Sequence, residues 1–119
     1  MQEKRRCKRI NKNFMSWFRT IKVILAKRYP SKWDMVTARD LSANGMLFNY
    51  NNNIDVGTDV HFRIIFPFAA HVIRCIGKVV RKNKPRKYSN LKIFHIAAEF
   101  EKIKKKDRDL INAVADEVC

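Results

Sequence analysis

Three runs in this chain alternate with a period of two: Val60, Phe62, Ile64 and Phe66; Ile73, Cys75, Gly77 and Val79; Phe94, Ile96, Ala98 and Phe100. Successive side chains of an extended chain point to opposite faces, so each run reads as a strand with one buried face. Met35 to Leu41 and Met46 to Tyr50 are two further extended stretches, and turn formers at Asn51-Asn52-Asn53 and Asn83-Lys84-Pro85 punctuate the series. Short strands at this spacing predict a mainly β, small antiparallel barrel or sandwich. Phe14 to Leu25 suits two periods at once. Phe14, Trp17, Phe18 and Ile21 recur at helical spacing, while Trp17, Ile21, Val23 and Leu25 fit one face of a strand.

The end of the chain changes period. Leu110, Val114 and Val118 stack at i, i+4 and i+8 with Ile111 and Ala115 beside them, and Asp107 is placed to cap a first turn. This predicts a carboxy-terminal helix over 107–118. Residues 1 to 13 are basic and lack apolar periodicity, which predicts a mobile arm ahead of one domain spanning 14–119. At 119 residues one core suffices without a metal or a disulfide staple.

A net charge of +15 attracts polyanions, acidic membrane surfaces or phosphate-bearing ligands without choosing among them. The charge gathers at Lys4 to Arg9, Lys78 to Lys87 and Lys102 to Lys106, and a solvated surface is the ordinary explanation of such clusters. Cys7, Cys75 and Cys119 are odd in number and far apart, unlike a disulfide framework or a zinc site, which implies a reducing compartment. The longest apolar run, Ile64 to Ala70, is broken by Pro67 and is far short of the roughly 20 residues a spanning helix needs. The opening residues are charged and show no signal-peptide pattern, so a cytoplasmic location is expected. His61, His71 and His95 show no metal-ligand spacing, and no Ser/His/Asp, Cys/His or paired-carboxylate arrangement stands out. The expectation is a protein without metal, cofactor or catalysis. Trp17 and Trp33 suit base stacking, although aromatics of small β-rich domains usually join the core.

The stretch Asp40-Leu41-Ser42-Ala43-Asn44-Gly45, spaced Asp-x-Ser-x-x-Gly, is far more specific. With so few Asp, Ser and Gly in the chain, its chance occurrence is roughly a one-in-two-hundred event. Upstream lie Arg5 and Arg9, an Arg-x-x-x-Arg pair that alone carries no weight in so basic a chain. Together the groups suit an anionic guanine nucleotide. Guanidinium forks match phosphate oxygens and the O6/N7 edge of guanine, and a carboxylate accepts from guanine N1 and N2. Taken singly, Asp40 and Ser42 are ordinary turn residues and Gly45 an ordinary turn glycine needing positive φ.

With Lys4 to Ile10, Ala38 to Phe48, and the run Ile76 to Arg81 leading on to Ile96 to Phe100, the chain resembles the PilZ family, bacterial domains that bind cyclic di-GMP. The resemblance implies a β-barrel of about six strands with a carboxy-terminal helix, and it favours a strand over Phe14 to Leu25. It also implies a non-catalytic cyclic di-GMP receptor that regulates motility, biofilm or exopolysaccharide machinery through an unidentified downstream protein. Arg5 and Arg9 would clamp the ligand as the arm orders, while Asp40, Ser42 and Gly45 work from the barrel. Lys4, Arg6, Asn44 and Gly77 are supporting positions. Between Asn13 and Trp33 the chain is longer and more aromatic than the family's usual first strand and turn. The alternative is a basic barrel that binds RNA or single-stranded DNA through the Lys78 to Lys87 patch.

Overall fold

The computed structural model describes residues 9–66, 71–83 and 93–117. Among these residues eight strands are formed: β1 (Arg9–Ile10), β2 (Phe14–Ile24), β3 (Lys27–Pro30), β4 (Asp34–Ser42), β5 (Gly45–Tyr50), β6 (Asp59–Phe66), β7 (His71–Asn83) and β8 (Phe94–Ile103). The helix α1 (Lys105–Glu117) follows. The sheet order is β1-β4-β5-β8-β7-β6-β2-β3, and an additional β4–β2 pairing closes six of these strands into an antiparallel barrel. Closure leaves those six strands no free edge. Strands β1 and β3 are additions on β4 and β2.

The alternating runs do what their period predicts. Val60, Phe62, Ile64 and Phe66 from β6, Ile73, Cys75 and Val79 from β7, and Ile96, Ala98 and Phe100 from β8 all point into the barrel. Its centre is an aromatic cluster in which the Phe18 ring lies 5.4 Å from Phe48 and 6.5 Å from Phe62, and Phe62 lies 5.9 Å from Phe100. Burial of Phe14, Ser16 and Phe18 decides the ambiguous segment in favour of a strand. That strand pairs with β6 on one side and β4 on the other, satisfying its backbone groups as an isolated surface helix would not need to. Cys75 lies within the core, where burial pushes its thiol up to about 12, so it stays protonated and inert as a nucleophile.

Beyond Ile21 the β2–β3 hairpin leaves the barrel and its residues are exposed. Its two-residue loop holds Leu25 at φ 54 and Ala26 at φ 65, values that cost residues with a Cβ about 1–2 kcal/mol each. Neither residue is a turn former, so sequence patterns give no sign of the loop. Replacing Leu25-Ala26 by Asn-Gly, the pair preferred where both central residues need positive φ, should raise unfolding stability by about 1–2 kcal/mol in a denaturant titration. An unchanged midpoint would show that the hairpin contributes nothing to the cooperative unit.

Two expectations are corrected at the chain's ends. The amino-terminal arm was expected to run free to residue 13, yet Arg9 pairs with Ser42, Ile10 pairs with Leu41, and Ile10 is fully buried in the core. One apolar residue in a basic stretch shows no periodicity, although burying it suffices to anchor the strand. The helix starts at Lys105 rather than 107, with the Lys104 carbonyl accepting from the Asp107 and Arg108 amides. Asp107 is therefore inside the first turn, and its buried carboxylate accepts a hydrogen bond from His71 Nε2 at 2.9 Å instead of capping the helix. Ile111 and Ala115 form the buried stripe, flanked by half-buried Leu110 and Val114, and α1 packs against β1 and β4.

Candidate ligand-binding site

The site begins with a fault in the strand that carries it. In β4, Ala38 pairs with Phe48 and Asp40 with Leu47, so Arg39 is the extra residue of a β-bulge. Before the bulge Val36 and Ala38 point inward; after it Leu41 does. Without the inserted residue, alternation would drive Asp40 into the core. With it, Asp40 and Ser42 share the outer face, since a one-residue shift exchanges the two faces of a strand.

Strand β1 adds the cation. Pairing Ile10 with Leu41 inside the barrel puts Arg9 beside Ser42 outside it, and Arg9 Nη1 donates to Asp40 Oδ2 at 3.5 Å. The Arg9 side chain is 68% exposed and that of Asp40 18%, so the arginine is held loosely over an anchored carboxylate. The turn after β4 is closed by the Ser42 hydroxyl, which accepts from the Asn44 amide at 3.2 Å and donates to the Gly45 carbonyl at 3.4 Å. Asn44 returns its carbonyl to the Phe100 amide at 2.8 Å.

These residues border a shallow depression of about 200 Å³ whose far side is made by β7 and β8. Of the positions singled out in the sequence, Arg9, Asp40, Ser42, Asn44 and Gly45 come together here. Lys4, Arg5 and Arg6 lie outside the described residues. Gly77 does not reach the depression. It is buried at a register shift of β7 against β8, where a Cβ would stand 2.6 Å from the Glu99 carbonyl oxygen, so it serves strand packing. The ordinary explanation of Gly45, a turn that needs positive φ, does not hold, since among the described glycines only Gly57 adopts it. The reason for Gly45 is the close approach of β8.

Sequence reasoning did not select Val80, Arg81, Ala97 and Glu99 as site residues, although all four line the depression. Their signal was available: Arg81 belongs to a basic cluster, and Glu99 is an outward position within an alternating run. Among the described residues the depression has Arg9 and Arg81 against Asp40 and Glu99, a balanced set. An anionic ligand therefore needs further cations, which the Lys4 to Arg9 stretch carries. The tryptophans fall elsewhere. Neither joins the core cluster, contrary to expectation; Trp33 is half-buried on the outside of the barrel beneath the guanidinium groups of Arg19 and Arg63.

The family model described as "PilZ domain" matches residues 3–116, nearly the whole chain. The chain belongs to the PilZ family. The structure of the Bacillus subtilis inhibitor of motility (MotI/DgrA) is similar, with a TM-score of 0.74 at 14% sequence identity. That match covers 98% of this chain and 52% of the other, so this PilZ chain spans about half of MotI/DgrA. The PilZ domain of YcgR from Escherichia coli, solved with cyclic di-GMP, matches with a TM-score of 0.59 at 9% identity, covering 89% of this chain and 88% of that one. At such identities the likeness is one of fold. No curated protein matches. Among the described residues no His/Cys/Asp/Glu group is arranged to hold a metal ion, and no helix is long and apolar enough to cross a membrane.

Proposed function

We propose that this PilZ protein is a cytoplasmic cyclic di-GMP receptor that regulates motility, working by recognition rather than catalysis. The observation that carries the reading is the bulge at Arg39, which turns Asp40 and Ser42 outward beside Arg9 on one exposed face. A barrel built only to fold has no use for that device. The carboxylate of Asp40 accepts from the N1 and N2 donors of guanine, and Arg9 and Arg5 take phosphate oxygens or a guanine edge. Lys4 and Arg6 add charge, and the bare backbone at Gly45 and the Ser42 hydroxyl complete the floor. The MotI/DgrA and YcgR structures, one from a motility inhibitor and one with cyclic di-GMP bound, support both the ligand and the process.

Signalling rests on the residues that precede the anchored Ile10. Ligand phosphates offset the mutual repulsion of a basic segment and let it order on binding. Calorimetry with cyclic di-GMP tests the receptor reading, with low micromolar affinity expected and far weaker binding of cyclic di-AMP, whose bases lack the N1 and N2 donors. Absence of heat with either nucleotide at protein concentrations well above micromolar would overturn it. Amide exchange of residues 1–8, falling on ligand addition with little change in α1, is the expected signature of the mechanism.

A further inference from the structure

A larger cleft, of about 630 Å³, is lined by residues of β2, β6, β7, β8 and α1, and the nucleotide reading does not use it. Among the described residues six cations border it, Arg19, Arg63, Arg74, Lys102, Lys104 and Arg108, against the single carboxylate of Glu101, itself beside Lys78. Among the described residues none of the six is paired with a carboxylate. Their placement is the opposite of what stability alone selects. Arg63 stands directly across from Arg74 in the β6–β7 ladder, and like charges in that position destabilise a sheet. Arg19 and Arg63 also share the ring of Trp33, with guanidinium carbons 4.6 and 4.2 Å from its centroid. The cleft wall includes an unsatisfied donor as well. His61 Nδ1 faces Arg19 Nε at 3.4 Å, and because arginine only donates, the imidazole proton lies on Nε2, which is buried without a hydrogen-bond partner. Burial and then the charges of Arg19 and Arg28 lower the His61 pKa and keep the ring neutral.

The cations continue into an apolar surface. One row across the strands runs Met35, Trp17, Arg63 and Arg74; the next contains Ile65 opposite Val72, with Met15 two residues before Trp17 on β2. Met15, Met35, Ile65 and Val72 are each between 39% and 43% exposed. Exposed Met beside half-buried Trp, interleaved with Arg, is the composition of protein interfaces, where Trp and Arg supply most of the binding energy. Nucleic-acid interfaces are polar and have no use for four solvent-facing aliphatic side chains, and the ring of Trp33 is already taken by guanidinium groups.

We propose that this face docks a partner protein whose own surface presents apolar residues rimmed by carboxylates. The face is carried partly by β7 and β8, which further along also contribute Val80, Arg81 and Glu99 to the proposed nucleotide site. As the receptor's output surface it rests on the receptor reading; the docking itself does not.

The full chain is titrated, by fluorescence anisotropy near physiological salt, with a labelled peptide alternating glutamate with leucine and phenylalanine. An all-glutamate peptide and a single-stranded oligonucleotide of equal charge serve as comparisons. The alternating peptide binds most tightly, and Arg63→Glu and Trp17→Ala each weaken it by about tenfold or more. Both variants keep the parent's affinity for cyclic di-GMP, and Arg63→Glu melts no lower than the parent because it removes a like-charge pair. The proposal is overturned if the all-glutamate peptide binds equally well, if the variants bind like the parent, or if Arg63→Glu lowers the melting temperature. It is equally overturned if the oligonucleotide binds as tightly through the same residues, or if sedimentation shows the face occupied by a second copy of the chain. Loss of cyclic di-GMP binding with peptide docking intact would instead remove the receptor reading alone.

Discussion

Asp40→Asn and Arg9→Ala should each weaken cyclic di-GMP binding by roughly tenfold to a hundredfold, the loss of one or two charge-assisted hydrogen bonds at about 1.5–3 kcal/mol each. The two substitutions act differently. Arg9→Ala removes a guanidinium that offers a bidentate fork to phosphate, whereas Asp40→Asn replaces an acceptor-only carboxylate by an amide whose NH2 opposes the donors of guanine. Asp40→Asn should therefore also erode the preference for cyclic di-GMP over cyclic di-AMP, and Arg9→Ala should weaken both nucleotides together. Neither should unfold the protein. The Arg9–Asp40 contact spans 3.5 Å with the arginine 68% exposed, and such ion pairs contribute about 0–1 kcal/mol, or a few degrees of melting temperature. Calorimetry with both nucleotides, beside thermal melts of the same samples, separates the outcomes. An unchanged affinity in both variants removes these residues from the site, and a stability loss of several kcal/mol in Arg9→Ala makes the arginine part of the fold.

What the sequence disclosed follows physical lines. The barrel was legible wherever one face of a strand is buried, because burial writes a period of two into β6, β7 and β8. The motif residues were legible as a spacing, and Arg9, Asp40, Ser42, Asn44 and Gly45 line one depression. What alternation does not encode is its own interruption: the Arg39 bulge, which aims Asp40 outward, depends on register against β5. Strand β1 has two residues, too short for any period, so the anchoring by Ile10 was hidden in a charged stretch. The β2–β3 turn uses Leu25 and Ala26 at positive φ, residues that no turn rule selects. Asp107 satisfied the sequence rule for a helix cap, yet its partner, His71, is 36 residues away, and such a pair exists only once β7 and α1 have packed. The Arg19, Arg63 and Trp33 cluster is of the same kind, assembled across β2, β6 and the residue before β4.

Gly45→Ala should cost about 3 kcal/mol of folding stability, the upper part of the usual range for overpacking, because the atom it meets is backbone. A Cβ on residue 45 would stand 2.4 Å from the Ala98 carbonyl oxygen, with the Ala98 carbonyl carbon and the Glu99 Cα both at 3.4 Å. A side chain in that position would swing aside; a carbonyl in the ladder between β5 and β8 moves only if the two strands separate. Gly45 pairs directly with Glu99, so separation spreads into the hydrogen bonds of a closed barrel and into the floor of the depression beside Asp40. Gly77→Ala presses on the same stretch of β8 from β7, at 2.6 Å from the Glu99 carbonyl oxygen. The double substitution should cost less than the sum, because β8 yields once for both. Gly57→Ala provides the contrast: no atom lies within 4 Å of its Cβ position, and its φ of +96° leaves only conformational strain, about 1–2 kcal/mol. Denaturant titrations of the three single variants and the double variant measure these differences. A Gly45→Ala midpoint equal to the parent's, with nucleotide affinity lost, would show that β8 accommodates the methyl group and that position 45 is kept bare for the ligand rather than for the strand.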